Sequence, residues 1–157
     1  MEELACKFYK YIREDLTSHE NRSFVYEEQR LLKSSDPLFR IIPADNVHSY
    51  SSQGLYLYEV EIDADPQTIC RPYQTDPGQY ETNRLRLVRR LSTLEKDKAI
   101  FDAGCAHKHI DFISCRVRYA IYDQNDELLK YMGDKVRREG LYNLIDLSDK
   151  ILDTYQN

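Results

Sequence analysis

The chain has no tryptophan and only five glycines, five prolines and four cysteines in 157 residues, and it nowhere runs apolar for long. A membrane-crossing helix needs about 20 consecutive apolar residues. Nothing approaches that, so no membrane partner is expected. The opening residues, MEELACKFYKYIRED, put acids where a secretory signal carries bases, and their apolar positions recur periodically, which argues against a signal peptide. Cys6, Cys70, Cys105 and Cys115 are scattered without any C-x-x-C pair. That usage predicts reduced thiols in the cytoplasm and no disulfide framework. No phosphate loop, dinucleotide fingerprint, G-x-S-x-G elbow or H-E-x-x-H is present, so the sequence implies no cofactor.

What is present describes a globular chain with a wet surface: 41% apolar and 31% charged residues, with a formal net charge of −5. The acidic balance opposes the global field of a nucleic-acid binder, although a local basic patch is compatible with it. The length suits one domain spanning residues 1–157.

Residues 2 to 18 place Leu4, Phe8, Tyr11, Ile12 and Leu16 at helical spacing behind Glu2 and Glu3, predicting an N-terminal helix. The string RSFVYEEQRLL fits helix or strand equally, and the structure of residues 22–52 is left open apart from LFRII. That stretch, bracketed by Pro37 and Pro43, reads as a short edge strand. GLYLYEVEI, residues 54 to 62, alternates as a strand, with Tyr56, Tyr58, Val60 and Ile62 on one face and Glu59 and Glu61 on the other. A Pro-rich irregular loop follows at about 63–80. Residues 80 to 104 read as a helix carrying Leu87, Val88, Leu91 and Leu94, ended by Gly104. Alternation on both sides of Asp123 to Asp126 predicts a hairpin pairing 113–121 with 127–133. A final helix spans 139 to 155, with an apolar stripe of Leu141, Leu144, Ile145, Ile151 and Leu152. The expected class is α+β: an antiparallel sheet with a C-terminal hairpin, packed against N-terminal, central and C-terminal helices.

The stretch GCAHKHIDFISCRVRYAIY, residues 104 to 122, concentrates the chemistry. On a strand, Cys105, His107, His109 and Asp111 share a face, and each is a competent zinc ligand. Residues i and i+6 of a strand lie about 20 Å apart, so all four cannot hold one ion. His107 and His109 could chelate only if the 63–76 loop closed over them with a further ligand. The plainer reading makes CAHKH the polar approach to a core strand that begins near residue 110. That reading expects no metal, both imidazoles at least partly exposed, and Cys115 in the core.

Three functional readings follow. The lead is a small cytoplasmic module, of a regulatory or inhibitory kind, that binds another protein without catalysing a reaction. Its surface would be the irregular loop with Arg71, Tyr73, Tyr80, Asp63, Asp65 and Asp76, because tyrosine, present 13 times, contributes rigid contact area at interfaces. Self-association is compatible with it. The second reading is a metal-dependent hydrolase or nuclease using His107, His109, Asp111 and loop acids. The third is a nucleic-acid module using a basic patch of Arg86, Arg89, Arg90, Arg116 and Arg118, with tyrosines to stack bases.

Overall fold

The strand FYKYI, β1 (Phe8–Ile12), stands where helical spacing predicts a helix. In the computed structural model, which describes residues 7–141, it pairs antiparallel with a strand on each side. A strand buried on both faces loses the apolar–polar alternation that marks strands in sequence. Its stiff aromatic side chains suit a pleated surface better than a helix.

The chain divides into two compact units, Met1–Ser92 and Thr93–Asn157. The first holds a seven-stranded antiparallel sheet, made by β1 with β2 (Leu32–Lys33), β3 (Phe39–Pro43), β4 (Tyr56–Ile62), β5 (Cys70–Pro72), β6 (Tyr80–Thr82) and β7 (Arg84–Arg90). The order across it is β2-β7-β4-β1-β3-β6-β5. The strand expected at LFRII is β3, but it is interior, bonded to β1 and β6. The strand expected at 54–62 is β4. Its Tyr58 belongs to an apolar cluster with Ile12, Tyr26, Phe39, Ile41, Leu85 and Leu87, and Tyr56, Val60 and Ile62 pack against it.

Two other expectations are corrected here. The 63–80 segment is not irregular throughout, because β5 forms within it and pairs with β6. Residues 80 to 92 are not helical: RLRLVRR alternates buried leucines with arginines, and β4 supplies the hydrogen-bond partners for the strand.

The second unit contains α1 (Thr93–Ala106), α2 (Ile110–Tyr122) and α3 (Asp126–Arg138). The hairpin predicted over 113–121 and 127–133 is therefore replaced by two helices. Ile113, Val117 and Ile121 recur every four residues, which satisfies period two and the helical period alike. Ile113, Val117 and Ala120 face a core with Phe101, Cys105, Leu128, Leu129, Met132 and Val136. Asp123 and Gln124 form the turn, and the Asn125 side chain accepts a hydrogen bond from the Leu128 amide at 3.2 Å, capping α3. Gly104 does not end α1. It lies buried inside the helix, where an added Cβ would come within 2.6 Å of the Phe112 ring, so glycine is what lets that ring sit against α1. The expected C-terminal helix falls almost wholly outside the described residues; within them, Glu139 caps α3 and Leu141 is buried. Among the described residues, the architecture is thus mixed α+β. No helix there is long and apolar enough to cross a membrane.

Candidate functional site

The residues that read as a shared strand face do not form one. Cys105 lies in α1 with its thiol pushed up to about 12, chiefly by burial. His107 and His109 flank Lys108, whose φ is 53°, in the α1–α2 connection, and Asp111 is in the first turn of α2. Both imidazoles and Asp111 are exposed, and the two rings lie 5.6 Å apart. Among the described residues, no three His, Cys, Asp or Glu side chains are placed to hold a metal ion. Cys115, expected in the core, is exposed, because at helical period it turns away from Ile113 and Val117.

The basic patch is also redistributed. At Glu59/Val60 the β4–β7 register shifts, leaving Val88 as an extra residue on β7. Such a bulge reverses strand parity. Arg86 and Arg89, three apart in sequence, therefore both face the acids of β4: Arg86 stands opposite Glu61, and Arg89 Nη2 lies 3.1 Å from Glu59. Arg90 covers the Tyr56 ring at 4.3 Å. Arg84 binds Asp63 and Asp65, each at 3.3 Å. Arg84 and Arg89 are thus paired with acids of the sheet unit, while Arg86 donates to the Gln29 carbonyl at 3.3 Å. Arg116 and Arg118 belong to the other unit, on α2, with Arg116 5.4 Å from the Phe112 ring.

The residues read as a partner-binding loop form a braced hairpin. Arg71 pairs with Glu81 across β5–β6 at 2.8 Å, and Tyr80 packs edge-on against Phe8. Asp76 accepts Tyr50 Oη at 2.9 Å, the Gly78 amide at 3.2 Å and Gln79 Nε2 at 3.1 Å. Burial and the Asp76 hydrogen bond push Tyr50 up to about 12. Tyr73 Oη accepts a 2.7 Å hydrogen bond from Arg40, whose guanidinium lies 4.2 Å from the Tyr73 ring centre.

Sequence reasoning missed two places altogether. The first lies under that arginine. Lys10 shares a face of β1 with Ile12 and is 2% exposed. Its Nζ donates at 2.5 Å to Glu20 Oε2 and to the Arg40 carbonyl. The same Glu20 oxygen accepts the Arg40 amide at 3.0 Å and Tyr26 Oη at 3.3 Å. Arg40 Nη1 lies 3.3 Å from His19 Nε2, and His19 Nδ1 lies 3.2 Å from Glu20 Oε1. Burial alone would raise the Glu20 carboxyl, but the Lys10 charge and the hydrogen bonds from His19, Lys10 and Arg40 hold it well below the usual range. Burial pushes the Lys10 ammonium down while the Glu20 charge pulls it back. Buried, and with Oε2 so engaged, Glu20 is suited to fastening the irregular 13–31 segment onto the sheet. The only sequence cue is a lone lysine among aromatics in FYKYI.

The second place is in the helical unit. A cavity of about 250 Å³ opens between α1, α2, the α2–α3 turn and the first part of α3. Leu128, Met132 and Ala120 contribute its apolar lining, and Asp97, Arg116, Tyr119, Asp123 and Asn125 its polar one. Burial and the nearby Asp123 charge raise Asp97, against the pull of Arg116 and Lys96. Beside the cavity, Tyr119 is 60% exposed, and one turn on Tyr122 is 86% exposed. A helical reading of 110–122 puts Phe112, Cys115, Tyr119 and Tyr122 on one stripe, roughly opposite Ile113, Val117 and Ala120. That stripe was the signal available in the sequence.

No protein-family model matches the chain, and no curated protein or solved structure matches it either.

Proposed function

We propose that the chain is a protein-binding module whose partner surface is the outward stripe of α2 with its adjoining cavity, acting without catalysis in the reducing cytoplasm. The observation that carries this reading is the exposure of Tyr119 and Tyr122, two large aromatics a turn apart on α2, the first of them lining a cavity. Large exposed apolar groups beside a concave site are what an interface core is built from, and tyrosine adds area at little entropic cost. The surface differs from the 63–76 loop because Arg71, Tyr73, Asp63, Asp65 and Asp76 already have partners within the sheet unit. The free thiols Cys70, Cys105 and Cys115 are compatible with a reducing compartment.

The test is a photo-crosslinking residue placed at position 122 in the full chain, with Glu61 of the sheet face as the control position, followed by purification from the native source. A single stoichiometric protein adduct from position 122, lost on Tyr119→Ala, supports the reading. Equal adducts from both positions overturn it. So does co-purifying nucleic acid released by salt and by Arg116→Ala with Arg118→Ala.

A further inference from the structure

Resting on that assignment of the α2 surface, we infer that the stripe is regulated from within the chain: the segment 142–155 closes over Phe112, Cys115, Tyr119 and Tyr122, and a partner binds by displacing it. In the helical unit, Tyr119 and Tyr122 are the large apolar side chains left exposed among the described residues. The outer face of α3 carries Asp126, Glu127, Lys130, Asp134 and Arg138, which leaves an apolar segment nothing to cover there. The segment that follows Leu141 has apolar residues at helical spacing, Leu144, Ile145, Ile151 and Leu152, and these need an apolar face. It also starts at the right end of α2. The short turn at 123–125 sends α3 back along α2, the last turn of α3 is tied to α1 where Lys135 lies 3.7 Å from Asp102, and Leu141 is packed in the shared core. The chain therefore leaves beside the start of α2, and residues 142–155 as a helix reach about 21 Å, against about 20 Å for the length of α2.

Charge favours the same placement. From Lys108 to Asp123 the bases Lys108, Arg116 and Arg118 outnumber Asp111 and Asp123, and Lys96 and Asp97 of α1 cancel, whereas the segment sets Asp146, Asp149 and Asp153 against Lys150. A second copy offering the same stripe would bury about 900 Å², from three aromatic rings a side at about 150 Å² each, short of the about 1,200 Å² at which stable pairs begin. A tethered segment needs no such area, because the tether supplies an effective concentration on the order of mM. Displacement requires closed and open forms within about tenfold of each other, since a partner's apparent affinity falls by the open fraction.

The experiment irradiates the purified full chain alone, with a photo-crosslinking residue at position 122 or, as the control, at position 134 on the outer face of α3, and maps the products by mass spectrometry after digestion. Position 122 is expected to join a peptide from 142–157 within one chain, at a yield that dilution does not change, and position 134 is not. The I145D/I151D variant should lower that yield about fivefold, because each aspartate would have to leave water to reach the stripe. If that variant unfolds the unit, Tyr119→Ala, at an exposed position, must lower the yield in its place. The inference is overturned by equal links from positions 122 and 134, by no link to 142–157, or by a yield unmoved in these variants. A product of two joined chains whose yield rises with concentration overturns it too, since the occupant would then be a second copy. The internal link is read on the purified chain, and the partner adduct only in material from the native source. Failure of the closing segment is therefore separable from failure of the binding surface.

Discussion

The two units hold charge at different depths, although both pair it: Lys135 of the helical unit lies 2.8 Å from Glu139 and 3.7 Å from Asp102. In the sheet unit, arginines and acids meet across strands, and one pair, Lys10–Glu20, is sunk into the core and surrounded by donors. In the helical unit, Phe101, Ile113, Val117 and Val136 fill the core, while Asp97, Arg116 and Asp123 stay at the rim of a cavity. A buried charge held by an opposite charge and neighbouring donors serves the fold. Charges held at a rim retain capacity for something else.

The sharpest way to break that comparison is Glu20→Ala. It leaves the Lys10 ammonium buried without its carboxylate, and should cost about 3–5 kcal/mol in denaturant titration of the full chain. A loss below about 1 kcal/mol would mean that the pair does not fasten the 13–31 segment. In the helical unit, a loss of similar size needs a purely apolar deletion. Phe101→Ala, at a fully buried ring, is expected to cost about 3–5 kcal/mol, read from the α1–α3 amides by hydrogen exchange.

Acid sharpens the contrast further. Because the folded Glu20 carboxyl lies below its unfolded value, the unfolded chain binds more protons across that interval. The stabilisation is fully present above the unfolded value, about 4.3, and is lost as pH falls toward and through the folded one. Stability measured from pH 6 downward should therefore drop with a slope that Glu20→Gln flattens. An unchanged slope would show that the carboxyl is not held low by its neighbours.

Smaller effects follow at the surface. Asn125→Ala removes the α3 cap and should cost about 1 kcal/mol. Arg89→Ala breaks an exposed pair and should cost less than about 1 kcal/mol. Tyr122→Ala should leave stability within about 0.5 kcal/mol of the parent, because the ring touches little. If that last variant loses several kcal/mol instead, the ring supports the fold and is not available to a partner.

Several strands were legible in the sequence for local reasons. GLYLYEVEI alternates from Tyr58 onward, where Glu59 and Glu61 take the face opposite Tyr58, while Leu57 before them is buried, and LFRII is a short apolar run between prolines. The DQND turn was legible through its polar residues. The mixed α+β class followed from elements of both kinds, although individual elements were assigned to the wrong kind. FYKYI failed because burial of both faces removes alternation. ISCRVRYAIY failed because residues four apart satisfy both periods, so only packing against α1 and α3 could choose between them.

By itself, the sequence determined composition, the absence of a long apolar run, and those segments whose burial is one-sided. Tertiary structure alone decided that a bulge at Val88 sets Arg86 and Arg89 against the β4 acids, that Glu20 of the 13–31 segment reaches Lys10, and that Tyr119 and Tyr122 are exposed, Tyr119 beside a cavity. The physical reason is the same in each case. Local periodicity records how many faces of an element are covered, whereas the partner that covers each one is chosen by residues far away in the chain.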